Sequence, residues 1–328
     1  MTANTPPYST RDEALRALGE AGYLCDDRTA TVVWLAGMLG RPLLTEGPPG
    51  VGKTALAQAI ARSTGRRLIR LQCYEGLDEA KALYEWDYGK QILYTQLLRH
   101  TVMRLSSDTA SVDAAMAAIA DQESAFFHTR FLTARPLLQS LRSERPTVLL
   151  IDEVDRSDPE LEALLLEVLS DYQASIPELG TIEARTRPYV VLTSNATREV
   201  TEALRRRCLY LDLAYPSRTR EMAIINQKAP ELSARLQLSL VDFVARLRGL
   251  PLRKTPSIAE SADWAQTLAI LGATRLEADV VRTTLGVLLK HSEDQALVLR
   301  DLTAYLNSAE PRSPEALPDS PRSTNETG

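Results

Sequence analysis

The octapeptide Gly47-Pro48-Pro49-Gly50-Val51-Gly52-Lys53-Thr54 constrains this chain more than any other stretch. It fills every fixed position of the pattern G-x-x-x-x-G-K-[S/T]. Glycines let the backbone turn tightly there and aim successive N–H groups inward, forming a cradle for an anion. Lys53 has the reach to touch β- and γ-phosphate oxygens, and the Thr54 hydroxyl can coordinate Mg²⁺. The flanks fit the loop. Arg41–Glu46 reads as a short buried strand. The run from Ala55 to Ala61 reads as a helix whose positive dipole end faces the same anion. A chance glycine turn has no reason to carry both flanks.

The chain has 328 residues, enough for two domains. Hydrophobic residues make up 44% and charged residues 25%, the composition of an ordinary globular protein. A formal net charge of −5 excludes a global attraction to nucleic acid or to an anionic membrane, leaving only local patches. Cys25, Cys73 and Cys208 are widely spaced, form no metal-ligand pair and cannot all be paired within one chain. That usage fits a reduced, cytoplasmic compartment. Residues Met1–Pro7 lack the apolar core of a signal peptide. No apolar run approaches the ~20 residues of a membrane-spanning helix.

Residues 1–10 read as a flexible leader. Helical patterns follow around Asp12–Leu18 and Ala30–Leu39, with a turn near Asp26-Asp27 between them. After the loop, Arg67–Gln72 reads as a strand, and residues 80–142 as mostly helical with the Ala-rich segment Asp113–Ile119 in the middle. Thr147–Ile151 is apolar enough for a central parallel strand buried on both faces. A helix over Pro159–Tyr172 starts from Ser157 or Asp158 as cap, with Pro159 in its first turn. Tyr189–Thr193 and Cys208–Leu213 complete the strands. Strands alternating with helices predict a three-layer α/β sandwich on a parallel sheet over 11–216. Residues 217–306 show helical periods without a convincing strand and predict a small all-α domain. The last segment, 307–328, holds four prolines among polar and charged residues and predicts a disordered tail.

Three further elements carry chemistry. In Val148-Leu149-Leu150-Ile151-Asp152-Glu153, four apolar residues deliver two acids at the carboxyl end of a strand, where α/β ligands bind. A solvated strand end explains two acids when they stand alone. Behind a complete phosphate loop, Asp152 is the candidate for holding Mg²⁺ and Glu153 for activating a water as general base. Val190–Asn195 ends at the same sheet edge, where Asn195 can orient that water or contact the γ-phosphate; an ordinary Asn turn is the plain alternative. Finally, Arg205-Arg206-Arg207 places three like charges just before a strand. The cluster is either a solvated basic turn or an arginine finger offered to a neighbouring subunit's nucleotide, which requires an oligomer.

With these elements in this order, the chain resembles an AAA+ ATPase, and more narrowly the MoxR branch and its CoxD-like ATPases associated with carbon monoxide dehydrogenase maturation. The segments that carry the resemblance are Leu71-Gln72-Cys73-Tyr74-Glu75-Gly76, Ala82-Leu83-Tyr84-Glu85-Trp86, Arg130-Phe131-Leu132 with Arg135-Pro136-Leu137, and Ile151–Arg156. Leu165–Asp171, Ile176–Ile182, Leu204–Tyr210 and Pro256–Ala265 add to it, so that the similarity spans roughly residues 20–290. The resemblance implies a five-stranded parallel sheet followed by a helical lid. It implies a hexameric, Mg²⁺-dependent ATPase that remodels a protein client together with a von Willebrand factor A domain partner. It assigns ATP binding to Gly47, Pro48, Pro49, Gly50, Val51, Gly52, Lys53, Thr54 and Ala55, and metal to Thr54 and Asp152. Catalysis falls to Glu153 and Asn195, with Arg206 and Arg207 as fingers. It makes Asp171–Ala184 a hairpin that lines a central pore or meets substrate, and it puts Tyr23 beside the adenine. One position departs from the wider family pattern: Ser257 stands after the lid proline where many relatives carry a γ-phosphate-sensing arginine, a role left to Arg253 or Lys254 just upstream.

Rival functions have less support. A P-loop kinase does not need the water-activating Asp152-Glu153 pair or the arginine cluster. A GTPase lacks its N-K-x-D base-reading motif here. An ATPase acting on a nucleic-acid complex conflicts with the acidic charge and with the lack of a C-terminal DNA-binding module. A non-hydrolysing binder has no use for an intact Lys53, Asp152 and Glu153. No residue names the client, and the metalloenzyme reading rests on the resemblance.

Overall fold

The computed structural model describes residues 6–94, 96, 129–177 and 179–307. The start of the leader, Asp113–Ile119 and the tail from 308 lie outside the described residues. Two compact units divide the chain, Met1–Tyr215 and Pro216–Gly328.

The first unit is built on a five-stranded parallel sheet. Its strands are β1 (Leu43–Glu46), β2 (Arg67–Gln72), β5 (Thr147–Asp152), β8 (Tyr189–Ser194) and β9 (Leu209–Asp212), in the order β2-β5-β8-β1-β9. Side-chain alternation along the strands divides the core in two. Leu43, Val148, Leu150, Tyr189, Val191 and Leu211 point to one face. That face packs on helices α1 (Arg11–Glu20), α2 (Asp27–Leu39) and α3 (Lys53–Ser63). Leu44, Ile69, Leu71, Leu149, Ile151, Val190 and Leu192 point to the other, against helices α5 (Pro136–Arg142) and α6 (Pro159–Asp171). Because β5 and β8 are covered on both faces, every one of their residues is buried. The helices end where their sequence says. Asp26 caps α2 by accepting the Thr29 N–H, and Gly40 closes it in the left-handed region at φ 60°. Asp158 is the N-cap residue of α6, with Pro159 in the first turn, but its carboxylate accepts the Gly76 N–H instead of a helix N–H.

Within 80–142 the described residues depart from a helical reading at two short strands. A short helix α4 (Glu79–Ala82) is followed by β3 (Tyr84–Trp86), which pairs antiparallel with β4 (Leu132–Ala134). Trp86, Phe131 and Leu132 are drawn into the sheet core, and three-residue strands are too short for their alternation to show against flanking helical texture. A second antiparallel hairpin, β6 (Gln173–Ile176) with β7 (Gly180–Glu183), follows α6. Helix α7 (Glu202–Arg207) then leads into β9.

The second unit consists of α8 (Arg218–Lys228), α9 (Ala234–Arg248), α10 (Ile258–Ile270), α11 (Ala278–Leu288), α12 (Ser292–Arg300) and α13 (Leu302–Asn307), with no strand among the described residues. Phe243 and Trp264 fill its core, and the Trp264 indole N–H donates to Thr284 Oγ1 at 2.8 Å. Glu221 is buried and receives Arg248 in a two-pronged pair at 2.7 and 2.8 Å. Breaking such a buried pair costs about 3–5 kcal/mol, because one charge is left without a partner. Ser257 caps α10 in a reciprocal box with Glu260. No helix among the described residues is long and apolar enough to cross a membrane.

Candidate active site

The glycine loop leaves β1 at the carboxyl edge of the sheet and enters α3. Gly47 is irreplaceable there: at φ 154°, a Cβ would sit 2.1 Å from the Leu213 carbonyl oxygen. Gly50 and Gly52 take φ 76° and 100°, which only glycine adopts freely. Lys53 is buried and curls back over its own loop, its Nζ donating to the carbonyls of Gly47 at 2.6 Å and Pro48 at 2.9 Å. Burial lowers its pKa, although Asp155, Asp152, Glu153 and Glu46 all pull the other way. Tyr23 lies alongside, with its ring edge 3.5 Å from where a Gly52 side chain would begin.

Asp152 ends β5, buried, and is the meeting point of the site. Its Oδ1 accepts the hydroxyls of Thr193 at 2.5 Å and Thr54 at 3.1 Å, and its Oδ2 accepts Arg70 Nη2 at 2.5 Å. Glu153 turns sharply away at φ 58°, a left-handed conformation that costs a non-glycine residue about 1 kcal/mol or more. Its N–H donates to Thr193 Oγ1 at 2.9 Å, and its Oε2 accepts Gln72 Nε2 and Arg156 Nη1, both at 3.1 Å. One threonine therefore fixes both acids, taking a hydrogen bond from Glu153 and giving one to Asp152.

Asn195 follows β8 at the same edge. Its N–H donates to Asp155 Oδ2 at 3.2 Å, and its carboxamide has no hydrogen-bond partner among the described residues. The same Asp155 oxygen accepts the N–H and hydroxyl of Thr197 at 3.0 and 2.6 Å. Asp155 is buried, and its Oδ1 has no partner among the described residues.

The three arginines of α7 have separate commitments. Arg205 donates to both carboxylate oxygens of Glu46, at 3.1 and 2.9 Å, and lies 5.1 Å from the centre of the Tyr210 ring. Among the described residues, the Arg206 side chain makes only a helix-surface pair with Glu202 at 2.8 Å, and it is 77% exposed. Arg207 is exposed and gives a long hydrogen bond of 3.4 Å to the Leu166 carbonyl. Arg41 caps the end of α7 through the carbonyls of Arg206, Arg207 and Cys208. In the second unit, Asp294 accepts the backbone N–H groups of Arg253 and Lys254 at 2.8 and 3.2 Å and so holds that turn.

The structure thus gathers Gly47–Thr54, Tyr23, Asp152, Glu153 and Asn195 at one edge of one unit, and places Arg253 in the other. Arg70, Gln72, Thr193 and Asp155 were not singled out by the sequence. Gln72 and Thr193 are recoverable once the strands are aligned, since β2–β5 register sets Gln72 opposite Asp152 and β5–β8 register sets Leu192 opposite Ile151. Among the described residues, no group of three or more His, Cys, Asp or Glu side chains makes a metal site by itself.

A parallel sheet with a glycine loop at its carboxyl edge, and acids beside that loop, defines a nucleoside triphosphate-binding fold. Residues 43–212, just over half of the chain, match the family described as "ATPase family associated with various cellular activities (AAA)", and this protein belongs to that family. Its similarity to the ClpB 2 chaperone of Parasynechococcus marenigrum is 27% identity over 243 residues, 73% of this chain and 22% of ClpB 2. A segment of 44 residues is 54% identical to the Lon protease of Anaeromyxobacter dehalogenans, covering 13% of this chain and 5% of Lon. The chain therefore spans less than a quarter of the length of these curated relatives. Among solved structures, the RuvB Holliday junction branch migration motor of Thermotoga maritima aligns with a TM-score of 0.43 at 20% identity, over 79% of this chain and 67% of RuvB.

Proposed function

We propose that this chain hydrolyses ATP with Mg²⁺ and uses the cycle to remodel a protein client, as a homo-oligomer of MoxR type. The observation that carries the reading is the convergence of Thr54 and Thr193 on Asp152, with Glu153 held beside it through the same threonine. The residues fit a metal-bound triphosphate. The loop N–H groups from Gly50 to Ala55 and the Lys53 ammonium suit the β- and γ-phosphates; Pro48 and Pro49 carry no N–H, and that of Gly47 donates to the Ser194 carbonyl at 3.3 Å. Thr54 and Asp152 would hold Mg²⁺, an ion that takes one or two protein ligands and completes its shell from water and phosphate oxygens. When bound, the metal neutralises the charge that develops on the leaving phosphate. Glu153 takes the proton of the attacking water, and the unpartnered carboxamide of Asn195 orients that water. Tyr23, which lies against Gly52, would contact the adenine.

Arg206 and Arg207 are the finger candidates, since Arg205 is consumed by Glu46 in its own subunit. A finger in trans requires a ring, and the family resemblance makes it a hexamer. The same resemblance assigns 217–306 as a lid, a von Willebrand factor A domain partner and a metalloenzyme as client; Arg253 or Lys254 would take the γ-phosphate sensor role that Ser257 cannot fill, and the cysteine usage fits the cytoplasm as compartment. The similarity to ClpB 2 supports the chaperone-like side of the reading.

The test is ATP binding and turnover in three proteins. Wild type should hydrolyse ATP, Lys53→Ala should lose binding, and Glu153→Gln should bind ATP yet turn over at least 100-fold more slowly, the usual weight of a general base. Wild-type turnover in Glu153→Gln would refute the base assignment. The ATP-locked Glu153→Gln protein is also the bait for the client: recovery of partners without any von Willebrand factor A protein would remove that part of the proposal.

A further inference from the structure

We propose that Arg70 is the built-in counter-ion of the metal-binding carboxylate, a positioning residue that a divalent cation must displace from Asp152 and that thereby sets metal affinity. The inference rests on the ATPase reading above. A buried carboxylate needs compensation for its lost hydration. Thr54 and Thr193 supply only neutral hydroxyls. Lys53 acts on Asp152 only through space, so the hydrogen-bonded positive charge comes from Arg70, whose Nη2 stands 2.5 Å from Asp152 Oδ2.

The reach of this side chain is not a consequence of strand pairing. Arg70 lies opposite Leu150 on β5, and the residue opposite Asp152 is Gln72. The guanidinium extends forward along the edge strand to the acid, past its own register partner. Its side chain is 52% exposed while that of Asp152 is 4% exposed. Arg70 can therefore return to water at little cost, whereas Asp152 cannot leave. A cation and a guanidinium drawn to the same buried carboxylate repel each other, so metal binding and the Arg70 contact oppose one another.

The same Nη2 also donates to Gln72 Oε1 at 2.5 Å, and Gln72 Nε2 in turn holds Glu153 Oε2 at 3.1 Å. Displacing Arg70 frees the oxygen of the side chain that restrains Glu153. Metal loading is thereby linked to the freedom of the proposed base.

The experiment measures Mn²⁺ affinity by electron paramagnetic resonance in the presence of saturating ATPγS, and ATPγS affinity separately in EDTA. Arg70→Ala and the uncharged but polar Arg70→Gln should bind Mn²⁺ roughly three- to tenfold more tightly than wild type, the scale of one charge-assisted contact to a half-exposed group. Arg70→Lys should fall between, and metal-free nucleotide affinity should stay within about twofold. Damage to the fold would weaken metal binding, so tightening distinguishes displacement from a structural role. Wild-type protein labelled with ¹⁵N-arginine provides a measurement independent of any variant: rotation of the Arg70 guanidinium should speed up when Mg²⁺·ATPγS is added. Unchanged or weaker Mn²⁺ binding in the variants, or a guanidinium that stays hindered, overturns the inference. If wild type binds Mn²⁺ with ATPγS and Lys53→Ala does not, that failure belongs to Arg70 alone. If wild type takes up neither, the ATPase reading falls with it.

Discussion

The carboxylate of Asp155 accepts the backbone N–H of Asn195 across 3.2 Å, tying the end of β8 to the turn that follows β5. Three donors converge on that one oxygen, two from backbone and one from the Thr197 hydroxyl. The position of Asn195 is thus set by a residue three places after Asp152. Asp155→Ala would strand these donors and should destabilise the protein by roughly 2–4 kcal/mol in urea unfolding. Asp155→Asn keeps an acceptor and should cost less. In both variants ATP turnover should fall more than ATP affinity. Equal loss of affinity and turnover would mean that Asp155 supports the whole loop and not the placement of Asn195.

Gly47 makes the sharpest prediction about the loop. Gly47→Ala puts a methyl group 2.1 Å from the Leu213 carbonyl oxygen, which is backbone and cannot swing away. Nucleotide binding should be lost and stability reduced by about 3 kcal/mol or more. Gly65 also has a positive φ, at 63°, but no atom stands within 4 Å of its would-be Cβ. Gly65→Ala should cost only about 1–2 kcal/mol and leave nucleotide binding intact. Comparable nucleotide affinities in the two variants, measured by isothermal titration, would contradict the assigned role of Gly47.

The arginines of α7 should separate by function. Arg205→Ala breaks a pair within one chain and should lower stability, with Glu46 left beside the loop. Arg206→Ala and Arg207→Ala touch only exposed contacts and should change stability by less than about 0.5 kcal/mol. If either is a finger in trans, its loss should cut turnover about 10³-fold or more without loss of ATP binding. Mixing that variant with Glu153→Gln protein should then restore part of the activity. Absence of rescue in verified mixed oligomers would remove the trans site.

Stability should fall at high pH. Burial pushes the thiols of Cys73 and Cys208 from an ordinary 9.0 up to about 12. It pushes the phenols of Tyr8 and Tyr172 from 10.0 up to about 12. In each case the folded chain holds its proton more tightly than the unfolded chain. Stability is therefore unaffected below pH 9 and is lost as pH rises from there towards 12. The two thiols alone should remove on the order of 1 kcal/mol each at pH 10. Lys53 acts in the opposite sense. Its lowered pKa disfavours the protonated folded state, a penalty that fades as pH climbs through that lowered value towards 10.5. Urea midpoints at pH 8 and pH 10 measure the net effect, and Cys73→Ala with Cys208→Ala should flatten the profile. A midpoint unchanged between those two pH values would contradict it.

Much of the fold was legible because its signals are local. The strand over Thr147–Asp152 shows as an apolar run, the loop as a fixed motif, and α2 and α6 by their caps and first-turn residues. The β3–β4 pair was not legible. Its strands have three residues each, and pairing joins segments nearly fifty residues apart, so neither strand carries a period of its own. At the site, the candidate residues were readable and the side chains that hold them were not. Asp152 and Glu153 stand out as acids ending an apolar strand, whereas Arg70, Gln72 and Thr193 look like ordinary strand polar residues until the register is known.

By itself the sequence determined the phosphate loop, the buried strands that carry it, the acids beside it and the helical texture after Pro216. Backbone freedom, hydrophobic period and residue chemistry act within a few positions, so each of these is written where it occurs. Only the tertiary structure decided which charges are already committed. Arg70 meets Asp152 across 82 residues and Arg205 meets Glu46 across 159, while Arg206 and Arg207 remain outward-facing. Such pairings depend on sheet order and register, which bring distant segments to one edge, and no local pattern encodes them.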